Sequence, residues 1–165
     1  MTTRWAKLLL IAGIAIDYTL VVFGNLADFD SNYEFVRHVL LMDSTFAGNH
    51  EMWRAIHSPA LHLAFYWSII AWEIVTMVLM WWGVVDLLRA LRQPAMVFNS
   101  RKRLAIVALT VSMLMWLVVF LDVGGEWFMM WQSRTWNGQE AAFRTFAIVG
   151  LVLLLLLQPE VDSQP

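Results

Sequence analysis

Three carboxylates interrupt stretches of sequence that are otherwise apolar: Asp17, Glu73 and Asp122. Ionisable groups are costly in hydrocarbon. Where they persist they face a bundle interior or a water-filled cavity, as ion sites, proton relays or interhelix hydrogen-bonding groups. No Lys or Arg lies deep enough in the same stretches to neutralise them. Counted from the basic side of the chain, Asp17 lies about 18 Å deep, Glu73 no deeper and Asp122 about 27 Å deep, taking about 1.5 Å per helical residue. That staircase suits a proton or cation path. It suits equally three separate carboxyls, each hydrogen-bonded between helices. Ala6, Gly13, Asp17 and Gly24 share one helical face, and small residues let helices approach closely in lipid. Asp17 is therefore expected in a tight helix contact.

A second group with ligand chemistry is His50, Glu51, His57 and His62. With an Asp from the same region they could build a zinc or copper site. However, His57 and His62 are five apart, and the His-Glu-x-x-His pattern is absent. Histidines at a membrane interface are the plainer reading. A b-type haem would want two axial His across spans, and only His62 stands near one. A third group, Glu126, Trp127, Trp131, Arg134 and Trp136, mixes Trp, Arg and Gly in a manner typical of interface anchors. It could dock another membrane subunit or pack internally, with Glu126 and Arg134 available to pair. There is no cysteine, phosphate-binding loop, nucleophile elbow or dinucleotide fingerprint. No catalytic residue is assigned, and the sequence requires no cofactor.

The elements that must position these groups are read from hydropathy. Of 165 residues, 60% are hydrophobic and 15% charged, against about 45–50% and about 25% in soluble domains. A net charge of −2 from 11 basic and 13 acidic residues leaves no basic footprint for nucleic acid. Four apolar runs, about 5–23, 60–85, 104–123 and 141–157, approach the length of about 20 residues needed to cross a bilayer. They are continuous rather than alternating, which favours helices over barrel strands. Asp17 interrupts the first run and no convincing cleavage site follows, so it reads as a retained span. The fold class is an all-α, four-span bundle forming a single membrane domain.

Seven basic residues (Arg4, Lys7, Arg89, Arg92, Arg101, Lys102, Arg103) fall on one side and four (Arg37, Arg54, Arg134, Arg144) on the other. By the positive-inside rule both termini are cytoplasmic, with segments 24–59 and 124–140 outside. The first outer segment is long for a connector. Phe35, Val36, Val39 and Leu40 predict a short amphipathic helix over Tyr33–Met42, capped by Ser31 or Asn32. A second is expected from about Asn49 to Ile56. The ten tryptophans suit interfacial belts, with Trp72 and Trp116 read as core.

Several outer stretches carry a family resemblance. They include Gly24-Asn25-Leu26-Ala27-Asp28-Phe29, Asn32 through Leu40, Met42-Asp43-Ser44-Thr45-Phe46, Met52-Trp53-Arg54-Ala55-Ile56 and Gly125 through Ser133. With them the chain resembles a bacterial family of predicted small integral membrane proteins, a domain of unknown function, over nearly its whole length. The resemblance implies a small four-span bacterial membrane protein and supplies no catalytic residue. The leading expectation is a non-catalytic accessory or scaffolding subunit of the bacterial inner membrane, with the lipid bilayer and other membrane subunits as partners. The alternative is a proton- or cation-coupled transporter using the three carboxylates; the third is an outer-face metal-binding protein.

Overall fold

The computed structural model describes residues 1–162. Helix α1 (Thr2–Ala27) turns at Asp28 into α2 (Phe29–Leu41). A loop with a single 3-10 turn (Met52–Arg54) leads to α3 (Pro59–Ala90), whose proline sits in the first turn, where its missing N–H costs nothing. Helix α4 (Ala95–Arg101) is short, and α5 (Arg103–Leu114) runs on as a π-helical segment, Met115–Trp127. A second 3-10 turn (Met130–Gln132) precedes α6 (Gln139–Leu157). No strand occurs among the described residues.

Four helical stretches are long and apolar enough to cross a membrane: α1, α3, the run from α4 through the π-helical segment, and α6. The shortest, α6, has 19 residues, about 29 Å of helix, which matches a hydrocarbon core of about 30 Å. Each exceeds its apolar run because the ends continue helical beyond it. Their outer faces are as apolar as their inner ones: Leu9, Leu20, Phe23, Leu151 and Leu154 are all exposed. Helices apolar all round belong in lipid rather than water.

The lipid-like exterior leaves packing to small residues and internal hydrogen bonds. Helix α3 is central, lying against α1, α2, α4 and α5. A methyl group added at Gly83 would stand 2.9 Å from the Ala105 backbone, so α3 and α5 touch main chain to main chain there. Ala105, Ala108 and Leu109 are fully buried beside this crossing, with Ile11 and Ala15 of α1 and Val149 of α6 in the same core. Several polar side chains inside the bundle are paired with one another or with main chain. The Trp116 Nε1–H donates to the Tyr18 hydroxyl (3.0 Å), which shares a 2.6 Å hydrogen bond with Ser112 Oγ. Trp72 Nε1–H donates to the Val111 carbonyl at 3.1 Å. Trp72 and Trp116 are thus half-buried against the core, as their apolar surroundings predict.

The cap differs from expectation in two respects. Helix α2 begins at Phe29, four residues before Tyr33, and neither Ser31 nor Asn32 caps it. The reason is that α1 continues to Ala27, so only Asp28 separates the two helices, and Ser31 and Asn32 fall inside the second. No second outer helix forms: Asn49–Ile56 holds only the turn Met52–Arg54, after which Ala55 is extended and the Ile56 N–H donates to the Leu40 carbonyl at 2.9 Å. The amphipathic character of α2 holds. Val39 and Leu40 pack with Met42, Phe128 and Met130 in a second small core that joins the two outer segments.

The crossing at Gly83 yields a direct test. Gly83→Ala inserts a methyl where backbone already stands, and overpacking of this kind costs about 1–3 kcal/mol. The thermal unfolding midpoint of the detergent-solubilised variant should fall clearly below wild type. An unchanged midpoint would refute the close approach.

Candidate functional site

Among the three intramembrane carboxylates only Glu73 lies inside the bundle, with 2% of its surface exposed. It sits about 21 Å along α3 from Pro59 at about 1.5 Å per residue, close to the middle of that helix. Asn25 Nδ2 of α1 donates to Glu73 Oε2 at 2.6 Å. The Tyr66 hydroxyl, two turns earlier on α3, donates to the Asn25 carbonyl at 3.0 Å. Asn25 thereby bridges the two polar residues of α3. Glu73 borders a cavity of about 280 Å³, walled also by Asn25, Phe35, Tyr66, Trp116 and Phe120. Helix α2 roofs it, and Gly138 and Ala141, at the start of α6, close one side. Among the described residues no Lys, Arg or His pairs with Glu73. None of these residues donates a hydrogen bond to its Oε1.

Asp17 and Asp122 are placed otherwise. Both are exposed on the outside of the bundle, so the three carboxylates do not line one internal path. The small-residue face of α1 also turns outward: a methyl added at Gly13 or Gly24 would meet nothing within 4 Å. The expected tight contact of Asp17 is therefore not made within this chain. The reason lies on the opposite face of α1, where Leu8, Ile11, Ala15, Tyr18 and Val22 pack inward. Asp17 shares its surface with exposed Leu10, Ile16 and Leu20, and no described residue bonds its carboxyl.

The histidine group is dispersed. His50 and His57 are exposed and Glu51 half-buried. Buried His62 donates from Nε2 to the Ile56 carbonyl at 2.7 Å, and its Nδ1 has no partner. Among the described residues no three His, Asp or Glu side chains gather as a metal-ligand set. The tryptophan-rich group packs largely within the cap. Trp136 stacks on His38 with centroids 4.6 Å apart, Trp131 meets Phe46, and Trp127 meets Trp53. Arg54 lies over the rings of both Trp53 and Trp127, at 5.4 and 4.9 Å, while pairing with Glu51 at 2.8 Å. Glu126 and Arg134 are exposed and form no ion pair with each other. Arg54 and Asn25 were missed as organising residues. Each lies in a polar outer stretch, where nothing in the spacing separates a buried partner from a solvated side chain.

The terminal end holds a second polar centre that sequence reading took only as a topology signal. Arg4, Lys7 and Lys102 are nearly buried. Lys7 Nζ contacts Glu160 Oε1 at 2.5 Å and Arg4 reaches Asp162 at 3.3 Å. Arg4 also donates to the carbonyls of Leu91 and Gln93, and Lys7 and Lys102 both donate to that of Gln158. Cations converging on carbonyls and carboxylates here tie the segment after α6 to α1 and to the α3–α4 turn. The available signal was the pair Glu160 and Asp162, two acids directly after the last apolar run.

Burial pushes the Glu160 carboxyl up, but hydrogen bonds from Lys7 and Thr3 and the charges of Lys7 and Lys102 outweigh it, so it titrates below its ordinary 4.5. A carboxyl depressed by folding contributes stability that is fully present above the ordinary value and is lost as pH falls through the depressed one. A spin label on Val161→Cys, an exposed position in a chain without cysteine, should be immobile at neutral pH and gain mobility only below 4.5. In a Glu160→Gln background it should be mobile already at neutral pH. Equal mobility throughout would show that the ion pairs do not hold the tail.

Comparison with known proteins agrees with this architecture and stops there. Neither curated proteins nor solved structures gave a match. A family model described as predicted small integral membrane protein (DUF2165) matches residues 3–159. That match takes in all four apolar helices, the roofing helix α2 and the Glu73 chamber. The chain belongs to this family of small integral membrane proteins.

Proposed function

We propose that the protein is a non-catalytic accessory subunit of a bacterial inner-membrane complex, and that the outer face of α1 is its mating surface. The observation that carries this reading is the outward-facing Asp17, unpaired among the described residues and set in an apolar surface midway along a membrane-spanning helix. A carboxyl facing lipid at the centre of a span costs about 2.5–3.5 kcal/mol on insertion scales. A neighbouring helix that supplies a hydrogen-bond donor or a cation removes that cost. Gly13 and Gly24 on the same face leave room for its backbone. The occupant is a transmembrane helix of another subunit, carrying Ser, Thr, Lys or Arg at the depth of Asp17. The separation of Asp17, Glu73 and Asp122 weighs against a transport path built on all three.

The test is native mass spectrometry after gentle extraction from the native membrane. Wild type should carry a defined partner subunit. Asp17→Leu should lose it, and Asp17→Asn, which keeps a hydrogen-bonding group, should retain part of it. A bare monomer or a homo-oligomer from wild type would overturn the accessory reading.

Orientation follows from the same inventory of charge. Arg4, Lys7, Arg92 and the Arg101–Arg103 cluster gather at the terminal end, which we place in the cytoplasm. Single cysteines in the cysteine-free chain report this. Asn137→Cys should react with an impermeant maleimide on intact spheroplasts, and Met96→Cys only after permeabilisation. The reverse pattern would invert the topology.

A further inference from the structure

We propose that the Glu73 chamber is a binding site for a lipophilic organic ammonium ion, whose head pairs with Glu73 and whose hydrocarbon part lies along α3 and the π-helical segment. This goes beyond lateral assembly and does not depend on it.

Three observations support the site. First, Glu73 is a carboxylate at mid-span with one oxygen held by Asn25 at 2.6 Å and the other, Oε1, without a donor among the described residues. A buried charge is stable only when paired; no described cation stands beside Glu73, so an ammonium head would supply the partner that its ionised form lacks. Second, the walls around this carboxylate are aromatic. Trp116 and Phe120, with centroids 4.7 Å apart, stand on one side, and Tyr66 and Phe35 complete the lining. Aromatic faces around an anionic group are the recognition chemistry of organic ammonium ions. Third, the chamber does not end at the carboxylate. A narrow apolar cavity of about 60 Å³ shares Phe35, Val36, Ile69 and Phe120 with it. A further one of about 140 Å³ adjoins that at Ile69, Val119 and Val123. A polar head pocket opening into an apolar groove fits an amphiphile rather than a hydrated metal ion, which would need several oxygen ligands. The π-helical segment supplies one wall of all three cavities, and such wide helical turns recur at functional sites.

The probe is octylamine carrying a terminal photoreactive diazirine, applied to the wild-type chain in lipid nanodiscs, with crosslinks mapped by mass spectrometry. Labelling is expected at Ile69, Val119 and Phe120. Excess octylamine should abolish it and equal octanol should leave it unchanged. Glu73→Gln should reduce labelling at least ten-fold. Val36→Trp, which fills the chamber from its roof and leaves Glu73 in place, should do the same and keeps the test open if the first variant does not fold. Equal competition by octanol, wild-type labelling of Glu73→Gln, or wild-type labelling of Val36→Trp would each overturn the proposal. Loss of the copurifying subunit in Asp17→Leu with chamber labelling intact would separate the two readings.

Discussion

Hydrocarbon offers no partner to a polar atom, and this constraint governs the bundle. Apart from Asp17 and Asp122, which face outward, the main polar links run between helices. The Tyr18, Ser112 and Trp116 chain joins α1, α5 and the π-helical segment. Asn25 joins α1 to α3 through Glu73 and Tyr66. Trp72 joins α3 to α5 at a main-chain carbonyl. Apolar burial contributes little direction in lipid, so these links, together with the contact at Gly83, set which helix lies beside which. The buried cations Arg4, Lys7 and Lys102 obey the same rule at the terminal end, where carbonyls and the acids Glu160 and Asp162 receive them.

The cap then acts as a roof rather than as a float on the membrane. Helix α2 is fixed to α1 through a one-residue turn and to the second outer segment through the small core around Met42, Phe128 and Met130. Arg54, set between Trp53 and Trp127, joins the loop before α3 to the end of the π-helical segment. The roof is anchored on both sides of the chamber. That anchoring holds α2 over the lined cavity beside Glu73.

Much of this was legible in the chain, and the reasons are physical. Continuous apolar runs leave no alternative to spanning helices, so the four spans and the amphipathic α2 could be read from residue type and period. Glu73 was identifiable as an intramembrane carboxylate for the same reason. Which way a carboxylate points was not legible, because these helices are apolar all round and their periodicity carries no inward direction. Asp17 shows this: the small residues on its face predict a tight helix contact, yet that face lies on the outside of the bundle and meets nothing there. Asn25, Tyr66 and Arg54 went unseen because their roles arise from neighbours distant in sequence. The π-helical turn was equally invisible, since nothing in Met115–Trp127 separates a π from an α pattern.

The clasp at the terminal end bears on how the protein is made. Arg4 and Lys7 lie at the start of the first span, while Glu160 and Asp162 are synthesised only after every span. Until then the first helix has its basic end exposed at the lipid surface without its final acidic partners, and the α3–α4 turn waits with it. The clasp is therefore the last contact of the bundle for which the sequence supplies a partner.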